Sequence, residues 1–280
     1  MSSDTQININ ELDEIAVLAI FNRTLTEDLE ADGRWEAIRL LQNAGERSVF
    51  DQAVAWCKSS DIRKQISGVD ILAQIGKTAE HHKTKFADES YPLIVDLLKS
   101  CHSNALKDSA ISALHHLENP LAIPLICSFC SDSDAEIRLA VAHALGFPFA
   151  NDALSVDALL KLMQDESQEV RDWATFGLGA QGDADSAEIR EALVKRLSVT
   201  FADAREEAIS ALSKRKDLRA LPPLIDLLQT GNISFCIEEA ALSLLDMEID
   251  GSERTTDELL AALKMKFGAD CAFSNDSPSE

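Results

Sequence analysis

Three groups of side chains in this sequence are of types that bind metals or do catalysis. Cys127-Ser128-Phe129-Cys130 is a CxxC pair, the spacing at which two thiolates grip zinc, but a tetrahedral site needs two further ligands and no second CxxC exists. His115-His116 and His143 fall in successive helical segments and are the candidates to complete it. The pattern around the two cysteines is helical, however, and reads more simply as two packed thiols. His81-His82 stand near Asp88 and Glu89 in a polar stretch and read as a solvated loop. Hydrolytic or transfer chemistry would need a nucleophile beside a base, or two carboxylates in contrasting environments. Neither can be located, and no glycine-rich phosphate loop, HExxH or GxSxG occurs. The expectation is therefore no catalytic residue, no metal and no cofactor. Whatever the chain does must come from the elements that carry its surface.

Those elements repeat. With Arg171 as the zero of a local count, an aliphatic residue stands at −1 (Val170), a small residue at +3 (Ala174), leucine at +7 (Leu178) and glycine at +8 (Gly179). The same frame fits Arg34, Arg138 and Arg205, and more weakly Gln65, Lys107 and Ile237, giving steps of 31, 42, 31, 33, 34 and 32 residues. A period of about 30 to 45 residues with two helices each marks stacked helical repeats. The predicted fold is all-α, an α-α superhelix of about seven helix pairs: a flexible stretch 1–9, a single array over 10–268 and a disordered tail 269–280. The long step is explained by one polar insertion, from Lys77 to Asp88. Caps mark several starts: Asn119-Pro120, Ser133 to Glu136 as a capping box, and Thr255 with Glu258 opening a last helix to about Phe267. Gly45, Gly76, Gly146 and Gly179 read as helix stops.

At 100° per residue, positions −1, 0, +3, +6 and +7 gather on one side of the helix, with +1 and +5 opposite. The first set predicts the core. The second predicts the surface: Trp35 and Arg39, Ile66 and Asp70, Asp108 and Ser112, Leu139 and His143, Asp172 and Phe176, Glu206 and Ser210. Trp173, at +2, is placed either to join Asp172 and Phe176 or to fill the groove against the next repeat. An arginine at zero lies beside the core and needs a partner there.

Charge narrows the choice of ligand. Lys plus Arg number 26 against 48 Asp plus Glu, a net charge of −22, which repels phosphate backbones and anionic lipid heads. Nucleic acid and membrane are not expected partners. No run approaches a membrane span and the first residues lack the basic and apolar segments of a signal peptide, so a cytoplasmic location is expected. The six cysteines, at 57, 101, 127, 130, 236 and 271, read as reduced thiols.

The frame resembles HEAT repeats over roughly residues 10 to 265, in particular the short HEAT-like repeats of the phycobilisome-lyase group. The resemblance is strongest over 132 to 229, where Val170-Arg171-Asp172-Trp173-Ala174 and Arg205-Glu206-Glu207-Ala208-Ile209 match the family pattern. That stretch is also similar to bacterial HEAT-repeat proteins encoded beside Rhs-type toxins and taken to be their immunity proteins. The resemblance implies that the zero-position arginine reaches an acidic residue of a neighbouring repeat, so Arg138, Arg171 and Arg205 would form a structural ladder. It also implies that the second helix of each pair lines the binding side. With these charges, the partner expected there is a basic protein, held by Trp35, Asp70, Asp108, His143, Asp172, Trp173, Phe176 and Glu206. Two functions follow: a non-enzymatic protein-binding scaffold, of which an immunity protein is one form, or a bilin-lyase-like enzyme or chaperone acting on a chromoprotein.

Overall fold

The computed structural model describes residues 14–26, 28–78, 81–199, 201–231, 234–248 and 254–268. The expectations for 1–9 and 269–280 lie outside the described residues. Within them all regular structure is helical, with no strand. The chain divides into two compact units, Met1–Ala144 and Leu145–Glu280.

The first unit contains α1 (Glu14–Arg23), α2 (Asp32–Ala44), α3 (Arg47–Cys57), α4 (Ile62–Gln74), α5 (Ala87–Ser100), α6 (Asn104–Leu117), the short α7 (Ile123–Cys127) and most of α8 (Ala135–Gly146). Successive helices pack as pairs, α1 on α2, α3 on α4 and α5 on α6, and the second members form a row in which α4 lies between α2 and α6. The second unit repeats the scheme with α9 (Ala153–Leu162), α10 (Gln168–Phe176), α11 (Ala187–Arg196), α12 (Ala202–Lys214), α13 (Leu221–Gln229), α14 (Phe235–Leu245) and α15 (Thr256–Phe267). There α12 lies between α10 and α14.

The repeated frame is the core. The +7 leucines Leu41, Leu72, Leu114, Leu145, Leu178 and Leu212 are fully buried, as are the +3 residues Ala37, Ala110, Val141, Ala174 and Ala208. Local chemistry sets the helix ends. Thr255 and Glu258 form the reciprocal capping box that opens α15, and Asn119 accepts the Leu121 N–H to start the short turn Pro120–Ala122 ahead of α7. At α8 the cap is Asp134, whose Oδ1 accepts the Glu136 N–H at 3.0 Å. The insertion folds back onto the first unit: Lys85 Nζ donates to Gly45 O at 2.7 Å, Thr84 Oγ1 to Ala73 O at 2.9 Å, and the Phe86 ring lies 4.5 Å from that of Phe50.

Two glycines have a different role from the one their position suggests. Gly45 does end α2 in the left-handed region, at φ 59°. Gly146 and Gly179, expected to do likewise, are not among the positive-φ residues. Gly146 meets Gly177 backbone to backbone, and a Cβ added to Gly177 would stand 2.7 Å from Gly146 Cα. The absent side chains let two helices cross at contact distance. After Phe176 the chain widens into a π-turn, Gly177–Gln181, and that turn is clamped by Arg215. This buried guanidinium donates to Leu178 O (2.8 Å), Gly182 O (3.0 Å), Ala184 O (2.8 and 3.0 Å) and Ala211 O (3.0 Å).

Candidate protein-binding clefts

Each unit carries a recess on the side of its second helices. In the first unit it has a volume of about 450 Å³ and is walled by Arg34 and Trp35 of α2, Ile66 and Asp70 of α4, and Asp108 and Ser112 of α6. Glu30 closes one end, and Asp134 and Glu136, where α8 begins, close the other. Five carboxylates therefore surround one arginine. That arginine is committed: Arg34 pairs with Asp70 in a buried ion pair, donates to Leu29 O at 3.1 Å and lies 4.9 Å from the centre of the Trp35 ring. Burial pushes the Asp70 carboxyl up, against the pull of Arg34. Asp108 is exposed at the recess, yet its carboxyl is pushed up to about 6, by desolvation first and then by Asp70, Glu30, Glu136 and Asp134. The recess holds more negative charge than it can comfortably ionise.

In the second unit a recess of about 230 Å³ is lined by Asp172, Trp173 and Phe176 of α10, by Asp203, Ala204 and Glu207 of α12, and by Phe201 just before α12. Trp173 and Phe176 meet edge to face with ring centres 5.7 Å apart, and Phe147 braces Phe176 from behind at 5.6 Å. Asp172 pairs with the buried Arg196 of α11. Glu207 is pushed up to about 7, by burial, then by Asp172 and Asp203, with Arg196 pulling the other way.

The candidate residues thus separate. Trp35, Asp70 and Asp108 meet in the first recess, and Asp172, Trp173 and Phe176 in the second. For Trp173 the two expected roles coincide, since it is half-buried and lines the recess beside Phe176. Glu206 lies outside both; its carboxylate takes the Ser234 hydroxyl hydrogen bond at the start of α14. His143 packs instead in a histidine cluster, 5.4 Å from the His115 ring, which is 4.7 Å from that of His116. Burial lowers all three, His116 to about 4, so the cluster is neutral at physiological pH. Among the described residues no three His, Cys, Asp or Glu side chains converge as metal ligands would.

One expectation is corrected. Ile66, Asp70 and Ser210 were expected to face outward at +1 or +5 and are buried. Helices α4 and α12 have second helices on both flanks and so keep no fully open side. Arg171 donates to Asp165 O at 2.7 Å and Glu166 O at 3.0 Å, and Arg138 to Asp132 O at 2.9 Å, tying each helix to its own preceding loop. Arg205 leaves its Nε buried without a partner. Arg34 reaches an acid of the next repeat, Asp70. Sequence reasoning passed over Phe201, Glu30, Asp134 and Glu136 as recess residues because they come from loops and first turns, and Glu207 because it stands at +2 of its copy, between the core and surface positions. Their signal was present in the acidic link before α2 and in the cap of α8.

A model of HEAT repeats matches this chain over residues 91–178 and 156–245, together more than half of it. The protein YibA of Escherichia coli K12 is 28% identical over 228 residues, covering 79% of this chain and 79% of YibA. The crystal structure of Escherichia coli YibA superposes with a TM-score of 0.68 at 24% identity, over 94% of this chain and 96% of that one. An engineered protein of known structure gives a TM-score of 0.52 at 20% identity, over 82% of this chain and 67% of its own. No helix among the described residues is long and apolar enough to cross a membrane.

Proposed function

Since the chain belongs to the HEAT-repeat family, we propose that it is a protein-binding scaffold without chemistry of its own, and that its partner is a basic protein met in the cytoplasm. One observation carries this reading. In each unit the second-helix side holds a recess in which carboxylates stand beside aromatic side chains, and in each an acid is pushed above its usual range, by burial first and then by neighbours of its own sign. The arginines at these recesses are already paired with Asp70 and Asp172, and a partner that supplies further cations relieves the repulsion while its apolar groups find Trp35, Trp173 and Phe176. The finer form, an immunity protein that covers a toxin, rests on the resemblance to toxin-linked HEAT-repeat proteins. A toxin gene beside this one would support it, and phycobiliprotein genes there would favour the lyase-like alternative.

The test is affinity capture from the native host, followed by association kinetics of the captured protein at rising salt. A basic contact surface and an association rate that falls steeply with ionic strength are expected, because screening shortens the reach of exposed charges. An acidic contact surface with a salt-insensitive rate would contradict the proposal.

A further inference from the structure

The recess of the second unit is more selective than acidity alone requires. It is lined by the rings of Trp173, Phe176 and Phe201, and its charged groups are all carboxylates: Asp172, Asp203 and Glu207. Asp172 is occupied by Arg196. Asp203 and Glu207 have no hydrogen-bonding or ion-pairing side chain among the described residues, although Glu207 is half-buried. Phe201, at 44% exposed, holds an apolar ring in water at the mouth. A neutral apolar group would strand the carboxylates. Lysine ammonium would answer them but would have to shed a tight hydration shell against the rings. A quaternary ammonium suits the rings yet offers no N–H to Glu207 or Asp203. Guanidinium does both, with weakly hydrated faces that stack on aromatics and edge N–H groups that fork onto carboxylates.

We infer that the recess formed by Trp173, Phe176, Phe201, Asp203 and Glu207 is a binding pocket for an arginine side chain presented by the partner protein. The inference rests on the protein-binding reading and names the group that reading leaves open. The pocket is also proton-linked. The charged groups facing Glu207 are Asp172 from α10, Arg196 from α11 and Asp203 from its own helix, and on α14 the Cys236 thiol feels its charge. With its carboxyl at about 7, Glu207 is part-protonated when the pocket is empty. A bound guanidinium favours the ionised form, so binding releases a proton and strengthens as pH rises through neutrality.

The probe is acetyl-arginine amide, titrated into the full chain while the Trp173 indole N–H is followed by NMR, with Trp173→Phe identifying the signal. A saturable shift is expected with a dissociation constant on the order of 1 mM, as suits one exposed contact. Glu207→Gln should weaken it roughly five-fold or more. Raising the pH from 6 to 8 should tighten wild-type binding by up to about ten-fold and leave Glu207→Gln unchanged. Phe201→Ala, at an exposed ring, should weaken binding without lowering the melting temperature. Acetyl-lysine amide or its trimethylated form binding as tightly overturns the assignment to arginine, and absence of a saturable shift overturns the pocket. Failure of the two readings is distinguishable. Arginine amide bound but no basic protein captured sinks the partner and keeps the pocket. A basic partner indifferent to Glu207→Gln and Phe201→Ala keeps the partner and sinks the pocket.

Discussion

Breaking the Arg34–Asp70 pair should unfold the first unit far more readily than its exposure to the recess suggests. Both side chains are buried, and Arg34 has only Leu29 O and the Trp35 ring besides Asp70. Asp70→Ala would leave a buried guanidinium with its main counter-charge gone, at a cost of about 3–5 kcal/mol. Replacing both, as Asp70→Ala with Arg34→Met, removes the stranded charge and should cost less than Asp70→Ala alone plus Arg34→Met alone. A coupling of about 2 kcal/mol is expected from the cycle. The measurement is urea unfolding by tryptophan fluorescence in a Trp173→Phe background, where Trp35 and Trp56 report on the first unit alone. A loss under about 1 kcal/mol for Asp70→Ala, or strict additivity in the double variant, would show that water reaches the pair and that its burial is not what holds α2 to α4.

Three other perturbations test the packing and the charge. Gly177→Ala drives a methyl to 2.7 Å from Gly146 Cα and should cost about 1–3 kcal/mol in a thermal melt, whereas Gly33→Ala, with nothing within 4 Å, should be neutral or slightly stabilising. Leu178→Ala empties a fully buried site and should cost about 2–5 kcal/mol by chemical denaturation. Asp108→Asn should raise the melting temperature at pH 7.5 and leave it unchanged near pH 4. Its folded-state carboxyl lies at about 6, above the unfolded value, so the folded protein loses stability as pH rises between the two. The gain is about 1 kcal/mol, since the exposed edge of Asp108 lets water screen much of the shift; equal melting curves at both pH values would refute it.

The core was legible in the sequence because it is periodic. Leu41, Leu72, Leu114, Leu178 and Leu212 occupy one position of one frame, and helical geometry alone puts that position inside. The surface was less so, for a reason Asp70 illustrates. A period tells which way a residue points from its own helix, but not what the next helix places there, and α4 is flanked by second helices on both sides. Glycine was ambiguous in another way. A glycine at a helix end looks the same whether it must turn left-handed, as Gly45 does, or must be small, as Gly146 is. Phe201 and Glu207 were hidden because a recess is assembled from two helices and a loop: Phe201 lies in the loop, outside the repeated frame, and Glu207 stands at +2 of the Arg205 copy, between its core and surface positions.

The clamp made by Arg215 has a consequence in time as well as in place. Its partners Leu178, Gly182 and Ala184 lie 31 to 37 residues away along the chain, so these bonds can form only after α10 and α12 have already met. Interactions that arrive so late stand mostly beyond the folding barrier: they leave the rate of folding nearly untouched and lengthen the life of the folded state. Lysine, with one nitrogen where Arg215 uses three, cannot reproduce them. Arg215→Lys should therefore shift the unfolding arm of a chevron plot and spare the refolding arm. A segment that ends in a π-turn is in this way protected by the slowness with which it is released, and proteolysis through the Gly177–Ala184 stretch becomes a clock for that release.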